Sequence, residues 1–310
     1  MSALEENISS TPLGKDAWPE AAQVDRAQSE LPITIYTPES PLRHPGKLIK
    51  EMLRDLLASR ELAWRLFVRD FSAMYRQSIF GYLWAFLPPI AVTLTFSYLN
   101  RQSIINVAET PVPYPAFVMI GTLLWQTFFD SLNSPLKVVQ NAKPMLAKIN
   151  FPREALILSG LADVLFNFAI RLSLLIPVFL YYRISLTSSL LLVPVGVGGL
   201  ILLGFALGML ITPVGLLYGD VVRAVALFGG FWMLLTPVVY PPPTSGLGAL
   251  LANWNPVSPI LLTCREWLTG QPPIHFGGFL LISAGSLIVL LVGWVLYRLS
   301  MPIIIERMGG

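Results

Sequence analysis

Five long stretches of this chain contain no Asp, Glu, Lys or Arg: 77–100, 110–129, 184–219, 224–264 and 277–297. That pattern limits the fold more than any other feature. About 20 apolar residues in a helix cross the hydrocarbon of a bilayer. A chain there must satisfy every backbone polar group internally, which a helix does alone. Charged residues make up 13% of the chain, against about 25% in soluble domains. The expectation is an all-α integral membrane protein. A single cysteine, Cys264, excludes an internal disulfide and a cysteine metal cluster, and two histidines, His44 and His275, are few for a histidine metal centre; no metal site is expected. No secretory signal is visible, since the first long apolar run begins near Gln77.

Residues 1–30 hold six acids, two bases and no apolar period, so 1–32 reads as a disordered tail. Residues 33–76 form an interfacial segment that starts extended around Pro38, Pro41 and Pro45 and then turns helical. Six spans are expected within 77–299: Gly81–Leu99, Tyr114–Ser134, Glu154–Tyr182, one within Leu190–Leu217, Arg223–Tyr240 and Gly277–Tyr297. The 224–264 run is too long for one span and is broken by Pro241, Pro242 and Pro243. Its remainder, 246–268, reads as a re-entrant element, and 300–310 as a short tail. Fifteen bases fall on the side of the termini and of the 137–154 loop, and three (Arg101, Arg183, Arg265) on the other. The positive-inside bias makes the former side cytoplasmic.

Three patterns carry functional meaning. On the helix 61–76, Arg65, Arg69 and Arg76 share one face, with Trp64, Phe67, Val68, Phe71, Met74 and Tyr75 opposite. Such a helix lies in the membrane interface, held by anionic lipid, or its guanidinium groups also receive a phosphorylated ligand. The segment NAKPMLAKINFPRE, 141–154, sets Met145, Leu146, Ile149 and Phe151 among Lys143, Lys148 and Arg153, between Pro144 and Pro152. It suits docking on a cytosolic protein; the other reading is an ordinary basic loop whose Phe151-Pro152 starts span three. Asp163, Asn167 and Arg171 form a stripe along span three. A mid-bilayer arginine costs about 2.5–3.5 kcal/mol, so it either has a partner on another helix or lines a path.

RDFSAMYRQSIFGYLWAFLPPI (69–90), KINFPRE (148–154), YGDVVRAV (218–225), TPVVYP (236–241) and NPVSPILLTCREWL (255–268) occur in this order. Together they resemble the permease subunit of ABC type-2 polysaccharide exporters, which move lipid-linked O-antigen, capsule or teichoic-acid chains. The similarity runs from about Thr34 to the C-terminus, and ITIYTPES (33–40) resembles the start of the lipopolysaccharide-transport branch. The acidic tail and the triple proline depart from that branch. The resemblance implies two copies forming one channel in the bacterial inner membrane, each docked by an ATP-binding subunit that holds ATP and Mg. This chain would hold no cofactor, consistent with its lack of a GxxxxGK[ST] phosphate loop. It would not itself be an enzyme, and its partners would be lipids and a lipid-linked glycan rather than nucleic acid.

Under that resemblance Lys143, Met145, Lys148, Ile149, Phe151, Pro152, Arg153 and Glu154 couple to the ATPase, and Arg65, Arg69 and Arg76 meet a diphosphate headgroup. Sugars slide over aromatic faces without fixed hydrogen-bond registry. Trp84, Phe86, Tyr98, Phe231, Trp232 and Tyr240 are therefore candidates for a lining, alongside Asp163, Asn167 and Arg171; packing is the other reading of each. Trp254, Arg265, Glu266 and Trp267 are candidates for an outer gate. The alternative is an ABC type-2 exporter of a drug or small lipid, which would not need the arginine face. A membrane glycosyl- or acyltransferase would show a DxD-type metal pair, and a proton-coupled transporter carboxylates in several spans.

Overall fold

A computed structural model describes residues 45–309 except 77–79, 82, 147–150 and 186. The chain divides into residues 1–49, of which only the opening turn of a helix is described, and residues 50–310, to which all packing below refers. The described residues form eleven α-helices and no strand: α1 Pro45–Ala58, α2 Arg60–Arg76, α3 Leu83–Arg101, α4 Tyr114–Leu146, α5 Glu154–Leu172, α6 Leu175–Tyr182, α7 Val193–Leu217, α8 Gly219–Leu235, α9 Gly246–Trp254, α10 Val257–Thr269 and α11 Phe276–Gly309. A 3-10 turn, Ser188–Leu192, leads into α7. Four segments are long and apolar enough to cross a membrane: 83–101, 154–182, 188–217 and 276–304. This is a multi-pass helical membrane protein.

The centre of the bundle is α4, whose buried residues run from Ala116 to Leu146. Gln126 and Asp130 lower its hydropathy, but a helix enclosed by other helices need not be apolar. Three of its hydroxyls are satisfied within the helix: Thr122, Thr127 and Ser131 each donate to the carbonyl four residues back, at 2.7 to 2.9 Å. α7 runs parallel to α4, and glycines let the two backbones approach. A β-carbon at Gly204 would stand 2.5 Å from Ser131 Cβ and 2.6 Å from the Phe128 carbonyl oxygen, and one at Gly208 would collide with the Leu132 carbonyl. Small residues at such contacts are the membrane route to dispersion and close packing. α11 lies parallel to α7 on another face, with Phe279 near Gly199 and Gly293 near Met209. α5 runs antiparallel to α4, with Gly160 against Ser134.

Several element boundaries differ from expectation. Span two continues to Leu146, so residues 137–146 of the expected loop are helix and Pro144 sits inside it rather than bounding a separate core. Val138, Val139, Ala142 and Leu146 form a stripe at helical spacing that is buried in a second apolar core, and this burial extends the helix past its polar residues. Span three is broken at Ser173–Leu174 into α5 and α6 but keeps its expected outer bounds. Span five ends at Leu235, before the prolines. α11 continues to Gly309, so the expected tail 300–308 is helical.

Candidate functional site

The 141–154 segment enters on α4 and leaves on α5. Lys148 and Ile149 lie outside the described residues. Leu146, Ala155 and Leu156 are buried in one core with Ala63 and Leu66 of α2 and Tyr297, Met301 and Ile304 of α11; Met145 and Phe151 pack at its edge. The apolar knobs near the segment thus face the protein's own interior, while Pro152 is exposed and Lys143 half-buried. Glu154 is buried and receives Arg298 Nη1 at 2.9 Å. The other Arg298 nitrogen meets Asp55 of α1 at 2.8 Å. Tyr297 adds a long hydrogen bond from its hydroxyl to the Arg153 carbonyl, 3.4 Å.

The arginine face of α2 is only partly as expected. Arg65 is exposed and pairs with Glu61 at 2.6 Å. Arg69 pairs with Asp70 at 2.7 Å and reaches the Met145 sulfur at 3.4 Å. The side chain of Arg76 lies outside the described residues, as do those of Met74 and Tyr75. The buried face is Ala63, Leu66 and Phe67, whereas Trp64 and Val68 are exposed, so the expected apolar face is rotated toward Ala63. The reason is a docking surface: Phe67 and Phe71 pack on Phe166 of α5, at 5.9 and 4.4 Å between ring centroids. Between α2, α4 and α5 lies a cavity of about 460 Å³, where Asp70, Lys137, Asn141 and Asp163 meet Phe67 and Phe71.

The stripe on span three is partnered. Arg171 pairs with Asp130 of α4 at 2.5 Å, and Asp163 meets Lys137 of α4 at 3.4 Å. Asn167 donates to the Asp163 carboxylate and carbonyl. The inter-helix pairing weighed for Arg171 is therefore what the structure contains. Asp130, on α4, is not among the residues that the stripe itself singles out. Its signal is an acid at the end of an otherwise uncharged run.

The aromatic candidates separate. Trp84, Tyr98 and Phe231 are exposed and Phe86 is half-buried. Trp232 instead packs edge-on against Trp125 and Phe128 and donates to Asn255 Oδ1 at 3.0 Å. Tyr240 donates to the Leu234 carbonyl at 2.8 Å. Of the gate candidates only Trp254 is exposed, 82%. Arg265 is buried, stands 3.9 Å over the Phe117 ring and donates to the Val238 carbonyl at 2.7 Å. It serves the irregular backbone after α8, as does the Tyr114 hydroxyl on the Val239 carbonyl at 3.0 Å. Non-helical backbone at membrane depth persists where protein satisfies it this way. Trp267 is buried against Phe276 and Phe279, and Glu266 pairs with His275 at 2.8 Å. Among the described residues no three His, Cys, Asp or Glu side chains gather to hold a metal ion.

No family model matches the chain. Among curated proteins, the O-antigen export system permease protein RfbA of Myxococcus xanthus is 30% identical over 196 residues, 61% of this chain and 72% of that protein. This chain belongs to the O-antigen export permease family. Two proteins of the same name from Klebsiella pneumoniae are 25% and 24% identical over 205 residues, each alignment covering 76% of the relative. In this permease, three residues that sequence reasoning left without a site role join separate elements. Asp130 holds Arg171, and Arg298 holds Glu154 and Asp55. Asn255 accepts from Trp232 and from the Val257 amide while donating to Thr236 at 2.7 Å.

Proposed function

We propose that this permease forms the membrane path by which a lipid-linked polysaccharide, an O-antigen or related glycan, leaves the cytosol, driven by ATP hydrolysis in a separate subunit. The observation that carries the proposal is the shared identity with proteins named O-antigen export permeases, spread over about 200 residues. In this reading six segments cross the inner membrane. The four apolar spans are joined by α4, 33 residues long and parallel to α7, and by α8, whose Gly229 meets Phe129 of α4. α9 and α10 form the re-entrant turn on the outer side, and both termini are cytosolic, as the basic residues favour.

Two copies flank the path, and an ATP-binding subunit carrying ATP and Mg docks at each 141–154 segment. Arg65 and Arg69 receive the headgroup phosphates at the cytosolic rim, beside the polar cavity. Trp84, Tyr98 and Phe231, which are exposed in one copy, line the glycan path between copies. Sugar hydroxyls need such a protein lining because bare hydrocarbon would leave them unsolvated.

Deletion of the permease in its native host tests the reading. Surface glycan should disappear while the lipid-linked glycan accumulates on the cytosolic side, and the complete chain should restore export. Unchanged surface glycan in the deletion, or glycan export by the purified permease alone in liposomes, overturns it.

A further inference from the structure

α11 contacts functional elements near both of its ends. Near its C-terminal end, Arg298 joins Glu154 at the exit of the 151–154 segment to Asp55 of α1, and Tyr297 reaches the Arg153 carbonyl. Near its N-terminal end, Phe276 and Phe279 pack on Trp267 of α10 at 6.2 and 5.4 Å. A β-carbon at Gly278 would stand 2.9 Å from Pro259, which leaves no slack between α10 and α11. From Phe279 to Arg298 the helix rises about 30 Å, at about 1.5 Å per residue. Its single internal proline, Pro302, lies beyond that stretch.

We propose that α11 is a rod that carries movement of the 151–154 segment to the α9–α10 hairpin, with Arg298 as the positioning residue that fastens the rod. The proposal rests on the coupling role given above to that segment. Apolar packing alone would hold these helices together, since Tyr297, Met301 and Ile304 already share a core with Leu156. The ion pairs add something different. A partly buried ion pair contributes little net stability because desolvation offsets the attraction. It does fix which residues meet. Arg298 uses separate nitrogens for two carboxylates, a fork that a lysine ammonium cannot reproduce. Glu154 begins α5, so displacement of the segment either draws Arg298 with it or breaks the pair. Tightly packed helices then respond as a unit, by shifting or tilting.

The test uses the full permease reconstituted with its ATP-binding subunit. A reporter is placed by Gln271→Cys, at an exposed position just after α10. Cys264 is buried and stays silent toward a membrane-impermeant maleimide. Labelling of the reporter should change about fivefold or more between the nucleotide-free and the ATP–vanadate-trapped complex, the lower end of ordinary coupling between sites. Arg298→Gln should still bind the subunit and hydrolyse ATP, yet lose that change; Arg298→Lys should keep part of it. Phe279→Ala should lose it from the other end with the Arg298 contacts intact. A wild-type reporter indifferent to nucleotide overturns the proposal. So does a full response in Arg298→Gln or, should that variant misfold, in both Arg298→Lys and Phe279→Ala. Failure of the wild-type permease to bind the subunit at all instead removes the coupling role on which the proposal rests.

Discussion

At the scale of single residues, the buried polar groups set the strongest expectations. Asp130 is the counter-charge of Arg171, and removing one partner of this partly buried pair leaves the other charge uncompensated. Asp130→Ala should destabilise the protein by about 1–3 kcal/mol, seen as a lower unfolding temperature in detergent, whereas Asp130→Glu should retain much of the stability. Equal stability for the alanine variant would mean the pair is not formed. Asn255→Ala strands the Trp232 indole and the Val257 amide, each buried donor costing about 1–3 kcal/mol; its loss should be larger than that of Trp232→Phe. Arg65 makes an opposite case. Its pair with Glu61 is exposed on both sides, so Arg65→Ala should leave the unfolding temperature unchanged. A simultaneous fall in export would assign the arginine to cargo. Loss of stability would assign it to the fold.

At the scale of elements, close approach decides what is tolerated. Gly204 and Gly208 face α4 backbone rather than the ends of flexible side chains. Leucine at either position should force α7 from α4 and abolish accumulation of folded permease, measured by monodisperse elution in detergent, while leucine at Gly198, with open space around it, should be accepted. The span Glu154–Tyr182 was legible because Pro152 and Arg153 mark its start and Arg183 its end. The C-terminal half of α4 was not. Lys137, Gln140, Asn141, Lys143 and Pro144 read as loop, although Val138, Val139, Ala142 and Leu146 between them keep a helical stripe. The inward turn of Arg265 was equally hidden, because its acceptor is a backbone carbonyl whose placement depends on how the 236–243 stretch folds.

At the scale of the whole molecule, hydropathy and charge asymmetry reveal a multi-pass protein, and the ordered motifs reveal its family. Composition does not separate lipid-facing side chains from those that the proposed pairing of two copies would cover, since both are exposed in one copy. The proposed arrangement predicts that reporter fusions at both ends are active only in the cytosol. A periplasmic reporter active at one end only would contradict six crossings, and one active at both ends would contradict the orientation.

The weakly apolar α4, whose Asp130 finds its counter-charge on α5, has a consequence for biogenesis. A nascent chain ending just after Leu146 presents the insertion machinery with Gln126 and Asp130 but with neither α5 nor α7 to cover them. Such a truncated chain should be integrated inefficiently, and synthesis through α7 should rescue it. The middle of the protein would then enter the bilayer as a cohort, with its most central helix waiting on segments made later.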